Sequence, residues 1–206
     1  MKKRIIPFLL VIFVILISCK RSEKSNVNPK QSSQLDSADY DSVQIQPIYM
    51  MKDSLPIQFK FIEQIPVKKL PYSEKINLNY YSPKDTLSQE RVRLLHLDKL
   101  AEYHESDSVF ELRYAIHYSD SFKSLVITYS GENYGYTYLI NYDENFKMID
   151  NKIISYDEVA ESLLRSYSKI YENRVVVTDE NDAANTRTTT EYSITKEGKI
   201  IKKAIH

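Results

Sequence analysis

From Asp107 onward the chain alternates apolar and polar residues at period two, with turn residues at short intervals. This pattern constrains the fold more than any other feature, because strands bury every second side chain whereas helices bury every third or fourth. Phe110, Leu112, Tyr114, Ile116 and Tyr118 fall on one face, and Glu111, Arg113, Ala115 and His117 on the other. Ser119-Asp120-Ser121 supplies a turn and Leu125 to Tyr129 returns. Gly131-Glu132-Asn133 turns again, Tyr136 to Tyr142 follows, and Asp143-Glu144-Asn145 leads into Met148 to Ser155. Sequential hairpins of this kind predict an antiparallel meander.

The rest of the chain extends the prediction. Pro56 to Ile62 and Ile76 to Tyr80 alternate and predict short strands, kept near an edge by Pro66, Pro71 and Pro83. Ser88, followed by Val92, Leu94, Leu95 and Leu97, predicts one short helix near residues 88–96 with Ser88 as N-cap. Asp157 to Ser162 is expected to form a helical turn, with Ser155 and Glu158 as a capping box, before a strand that runs to Tyr171. Glu172-Asn173 turns that strand into Arg174 to Thr178, and Asp179 to Asn185 is expected as a polar loop. Arg187 to Thr195 and Lys199 to Ala204 form a last hairpin, with Gly198 at the left-handed position of a bulged turn. A weak echo pairs Tyr138, Ile140 and Glu144-Asn145 with Tyr192, Ile194 and Glu197-Gly198, leaving Phe146 as an extra residue. The expected fold is mainly β: an antiparallel meander forming a sandwich or partial barrel, with one short helix.

Composition bears on how such a fold is held. Only 3 glycines occur, so most turns fall to Asn, Asp and Ser. There are 17 tyrosines and no tryptophan, which suits strand packing. One cysteine, Cys19, means that no disulfide forms within the chain.

The first nineteen residues carry an address. Lys2, Lys3 and Arg4 precede an apolar run from Ile5 to Ile17, which ends in Leu16-Ile17-Ser18-Cys19. As a helix the run would be roughly 20 Å long, short of the ~30 Å hydrocarbon core, and Lys20 and Arg21 stop it. This is the layout of a secretory signal. Leu-Ile-Ser-Cys resembles the lipobox of bacterial lipoproteins. The resemblance implies cleavage between Ser18 and Cys19, lipid attachment at Cys19 and acylation, palmitate among the chains, of the new amino end. Residues 1–18 are then the signal peptide, 19–46 are expected as a polar, disordered tether, and 47–206 as a single mainly-β domain. The runs Phe122 to Tyr129 and Tyr138 to Ser155 are also similar to strand runs of small bacterial lipoproteins, a likeness that implies no activity.

Chemistry-bearing motifs are sparse. The chain has 28 cations and 28 anions, and loss of the three leader cations leaves a net charge near −3. There is no basic surplus for a nucleic-acid partner. The four histidines, His96, His104, His117 and His206, show no metal-ligand spacing, and no catalytic motif or cofactor loop occurs. Asn141, Asp143 and Asn145 mimic the start of a calcium loop, but Phe146 stands where that loop needs glycine.

One stripe stands out. Tyr134, Tyr136, Tyr138, Ile140 and Tyr142 share a face, opposite the less apolar Gly135, Thr137, Leu139 and Asn141. That imbalance favours the tyrosines as core, and their alternative is a binding face for a protein or a glycan. The expected function is a lipid-anchored cell-envelope protein, non-enzymatic, at the outer membrane and with a protein or glycan partner. The alternatives are an envelope-polymer hydrolase using His117 or His104 as base, and a structural subunit of an outer-membrane assembly.

Overall fold

A computed structural model describes residues 55–104, 108–159 and 163–204. Cys19 and the stretches expected to form the signal peptide and the tether lie outside the described residues. A 3-10 segment, Ile57–Gln64, opens the fold. Two short strands follow, β1 (Val67–Lys68) and β2 (Tyr72–Glu74), then helix α1 (Gln89–Leu94) and a 3-10 turn, Leu97–Lys99. The meander comprises β3 (Val109–Ser119), β4 (Phe122–Ser130), β5 (Tyr134–Tyr142) and β6 (Met148–Glu158). It continues through β7 (Leu164–Ile170), β8 (Arg174–Asn181), β9 (Thr186–Ile194) and β10 (Ile200–Lys202). The ten strands form one mainly antiparallel sheet in the order β1-β3-β4-β5-β6-β7-β8-β9-β10, and the sheet is not closed. β1 lies parallel to β3, and β2 pairs with β7.

The sheet bends between β6 and β7, which share one registered pair, Tyr156 with Ser166. The rest of that edge of β7 is taken by β2. The bend lets β7–β10 pack over one face of β3–β6. Tyr114, Ile116, Val126, Leu139 and Ile154 there meet Ile170, Val175 and Val177. The other face of β3–β6 is covered by the chain before it. Phe59, Ile62, Val92, Leu95 and Leu97 pack on Leu125, Ile127, Tyr138, Ile140 and Tyr142. β4, covered on both sides, is buried at all nine positions. Two of its polar residues, Ser124 and Thr128, are matched across the ladder, as polar groups so placed must be. Ser124 donates to Asn141 Oδ1 at 2.6 Å, Asn141 donates to the Gly198 carbonyl at 2.8 Å, and Thr128 and Thr137 hydroxyls lie 3.1 Å apart.

Helix α1 forms where expected. The Ser88 hydroxyl accepts from the Arg91 amide at 3.4 Å, and His96, in the left-handed region at φ 55°, closes the C-terminal end. The strand from 164 to 170 and the left-handed Gly198, at φ 82°, also agree with the sequence reading.

Four readings are corrected. Pro56 to Ile62 is a 3-10 segment rather than a strand. Phe59 and Ile62, three apart, both reach the core, and the Pro56 carbonyl accepts from the Phe59 amide at 2.8 Å. Ile76 to Tyr80 forms no strand, although its alternation has a use. Its amides bond side chains of β6, Ile76 N–H to Ser155 Oγ at 2.8 Å and Leu78 N–H to Asp157 Oδ2 at 2.9 Å. Ile76 and Leu78 then pack on Gly135, whose missing side chain makes the room. Asp157 and Glu158 finish β6 rather than start a helical turn, because Ser155 Oγ is spent on Ile76 and on the Ser166 carbonyl. Residues 160–162 lie outside the described residues. The expected loop from Asp179 is shorter than predicted: β8 runs to Asn181, and the turn spans Asp182 to Asn185.

Two irregularities change which side chains meet. Leu112 pairs with Ile127 but Tyr114 pairs with the adjacent Val126, so Arg113 is the extra residue of a β-bulge. The five residues expected on one face of β3 are therefore divided. Phe110 and Leu112 join the helix-covered core, whereas Tyr114 and Ile116 join the core beneath β7–β8. In the β5–β6 turn, Phe146 is left-handed at φ 58°. Asp143 N–H donates to Lys147 O and Phe146 N–H to Asp143 O. In the last hairpin Thr195 N–H donates to Lys199 O and Gly198 N–H to Thr195 O. The two turns are the same, and Phe146 occupies the position of Gly198 rather than being an extra residue.

Candidate functional site: the tyrosine ladder

The stripe on β5 divides along its length. Tyr142 is fully buried, and its hydroxyl donates to the Leu95 carbonyl at the end of α1 at 2.9 Å. Tyr138 is also fully buried and donates to Glu102 Oε2 at 2.6 Å. These two rings are core, with hydroxyls fastening the helical cover to the sheet, so they drop out of the candidate binding face. Tyr134 and Tyr136 are half-buried and form its open end. Ser108 and Tyr134 share a hydrogen bond at 2.8 Å.

The open end belongs to a larger set of rings. Phe110 and Tyr129 lie 4.7 Å apart between centroids, Tyr129 and Tyr134 6.0 Å, and Tyr134 and Tyr136 5.7 Å. Tyr136 stacks on Tyr156 of β6 at 4.8 Å with 28° between planes. Contacts of this kind add stabilisation beyond the area they bury and hold each ring in one orientation. Tyr129 is fixed as well: its hydroxyl accepts from the His104 amide at 2.8 Å and donates to the His104 carbonyl at 3.1 Å. Tyr156 donates to Glu158 Oε2 at 2.6 Å.

The electrostatics keep these rings neutral. Burial, then the hydrogen bond to Glu102, pushes the Tyr138 hydroxyl well above the usual phenol range. Burial alone does so for Tyr142. Tyr136 is raised by burial and then by the Glu102 charge, and Tyr156 by burial and then by its bond to Glu158. No phenolate forms at Tyr136, Tyr138, Tyr142 or Tyr156 near neutral pH. The surface the ladder offers is apolar ring with hydroxyl and carboxylate at the rim.

A cleft of about 300 Å³ opens beside Tyr136 and Tyr156, where β6 and β7 diverge. Its walls include Ile153, Leu164, Arg165 and Glu180. Arg165 is held by Glu180 at 2.9 Å and Asp182 at 3.0 Å. These contacts, the bond to Glu180 first, raise its already high pKa. Tyr156, Arg165 and Glu180 were not distinguished in the sequence. They come together only because β7 and β8 bend around β6, an adjacency that strand periodicity does not encode.

Neither His104 nor His117 lines this cleft. The His117 side chain is 62% exposed, and its charged neighbour is Asp120, 3.7 Å away and 97% exposed. His104 contributes its backbone to Tyr129. The two sit at opposite ends of β4. Asn141 is buried on Gly198, and Asp143 Oδ1 accepts from the amides of Asn145 and Lys147 at 2.9 and 2.8 Å, which makes the Asn141–Asn145 stretch a hairpin turn. Among the described residues no cluster of His, Cys, Asp or Glu has a metal-holding arrangement, and no helix is long and apolar enough to cross a membrane. Comparisons of the chain with protein-family models, with curated proteins and with solved structures give no match.

Proposed function

We propose that this protein is a lipid-anchored component of the bacterial cell envelope, fastened at the outer membrane through Cys19. Its β domain binds a protein or glycan partner without catalysis, at the open end of the tyrosine ladder. The observation that carries the binding reading is the Tyr136–Tyr156 stack beside the 300 Å³ cleft, continued by Tyr134. Tyrosines held in place by neighbours lose little freedom on binding, and they supply ring area together with a hydroxyl. The anchor rests on the lipobox residues Leu16 to Cys19. Two or more acyl chains hold a protein firmly to a bilayer, each buried methylene contributing about 0.8 kcal/mol.

Two experiments test the two halves separately. Cells producing the full chain are grown with radiolabelled palmitate. The wild-type protein is expected to take up label and the Cys19→Ser variant to take up none; an unlabelled wild-type chain removes the anchor. For the binding face, a photo-reactive phenylalanine analogue is placed at position 134 or 136, or at Ile201, which is exposed on β10. A discrete adduct from 134 and 136 and none from 201 is expected. Adducts from 201 alone would move the binding surface elsewhere.

A further inference from the structure

The strands at the ends of this sheet are too short to recruit another strand. β1 has two residues, β2 three, and β10 three followed by Lys203. β9 differs. β8 covers one of its edges from Ser193 to Thr186. β10 covers the other edge only at Tyr192, Ser193 and Ile194, and the Lys203 amide adds a bond to the Glu191 carbonyl. From Thr186 to Thr190 that second edge has no strand beside it among the described residues. Thr186, Arg187, Thr188 and Thr189 are exposed, so the ribbon projects past the core. Four of the five residues are β-branched threonines, one is charged, and neither a proline nor a bulge interrupts them. Sheet edges of this length are ordinarily blunted by charge, proline or a bulge, because their free amides and carbonyls template another strand.

We propose that this edge pairs antiparallel with the same edge of a second copy of the chain, about a two-fold axis at Thr188. The sequence of the edge is self-complementary in that register. Thr188 faces its own copy, Thr186 faces Thr190, and Arg187 faces Thr189, so no like charges meet. An axis at Arg187 would oppose two guanidinium groups. An axis at Thr189 would require the Glu191 carbonyl, which Lys203 already occupies. Facing threonines are a pairing this sheet already uses, at Thr128 with Thr137 and at Thr178 with Thr189. Five paired residues bury much less than the roughly 1,200 Å² of a stable interface, so the contact is weak in dilute solution. Confinement of both copies to one membrane raises their effective concentration; this point alone rests on the anchor proposed above.

The test is disulfide trapping in membranes of cells that produce the full chain. Thr188→Cys places two thiols face to face across the axis, where Cβ atoms lie about 4.5–5.5 Å apart. Ala183→Cys, exposed at the tip of the same ribbon, is the control. On mild oxidation Thr188→Cys is expected to give a dimer at least tenfold more abundant than either Ala183→Cys or the wild-type chain. Equal trapping at 188 and 183, or a Thr188→Cys adduct with a different protein, overturns the proposal. The wild-type arm reads the anchor separately, since a dimer there means that Cys19 carries a free thiol.

Discussion

Phe146 gives the sharpest test of how this fold is held, because one residue combines an unfavourable backbone with a favourable ring. Its φ of 58° is a conformation that costs a side-chain-bearing residue about 1–2 kcal/mol. Its ring is fully buried, stacked on Phe59 at 4.0 Å and 14°, with Lys123 Nζ 4.9 Å from the ring centre. Removing a ring buried to this degree costs about 3–5 kcal/mol. Phe146→Ala should therefore lose about that amount, since it keeps the left-handed backbone and gives up the stack. Phe146→Gly gives up the same stack but relieves the backbone. Glycine ordinarily costs ~0.5–1 kcal/mol against alanine through chain entropy. Relief of about 1–2 kcal/mol reverses that order and leaves Phe146→Gly more stable than Phe146→Ala by roughly 0.5–1 kcal/mol. Urea unfolding of the full-length chain and both variants, followed by far-ultraviolet circular dichroism, measures the two differences. A Phe146→Ala loss below about 1 kcal/mol would refute the stacking argument, given the cost expected for a buried ring. A Phe146→Gly variant less stable than Phe146→Ala would refute the backbone argument.

Three further outcomes are expected. Glu74, buried on β2, accepts from Arg113 Nη1 at 2.5 Å and from the Tyr114 hydroxyl, so Glu74→Gln leaves a largely buried guanidinium unpaired. It should cost about 3 kcal/mol or slightly more, read as a fall in the urea midpoint. Gly198→Ala puts a side chain at φ 82° and a Cβ 3.0 Å from Phe122, for a loss of about 1–2 kcal/mol by the same unfolding curve, whereas Gly131→Ala, at ordinary φ, escapes the backbone part of that cost. Tyr114, Tyr138 and Tyr142 all have folded pKa values raised above the unfolded value of 10.0, chiefly by burial. Their contribution is therefore complete below pH 10 and falls as pH rises beyond it, by up to about 1.4 kcal/mol per pH unit for each ring. A late step in tyrosinate absorbance should coincide with unfolding at alkaline pH, and titration of all the tyrosines near pH 10 while the protein stays folded would contradict the burial assigned to these rings.

The legible part of the fold was what period two and turn chemistry encode locally. β3 to β6 and the last hairpin stood out because Asn, Asp, Ser and Gly198 mark their turns, and Ser88 marked its helix. What the pattern could not carry was adjacency. Arg113 looks like an ordinary outward residue of β3, and only the register against β4 makes it the bulge that sends Phe110 and Tyr114 to different cores. Ile76 to Tyr80 alternates as a strand does, yet its amides are satisfied by Ser155 and Asp157, partners 79 residues away in sequence. At the candidate site, Tyr134, Tyr136, Tyr138 and Tyr142 were legible as a stripe. Which of them are core was decided by where α1 and Glu102 come to rest.

Under the binding proposal, the same geometry favours the open end of the ladder, rather than its middle, for a partner. The chain before β3 crosses the β5 face from Leu95 to Glu102 and spends the hydroxyls of Tyr142 and Tyr138 in holding that cover down. The His104 backbone then brackets the Tyr129 hydroxyl. Beyond that point the ladder continues through Tyr134, Tyr136 and Tyr156, half-buried by one another. The rings at both ends are alike in chemistry. The difference is that one set already has its hydrogen-bonding and packing partners from the helical cover, whereas the other adjoins a cleft made by the bend between β6 and β7. Under the proposal, a ligand that needs flat apolar area and a polar rim would find both there, in the rings and in the Arg165 and Glu180 side chains that line the cleft.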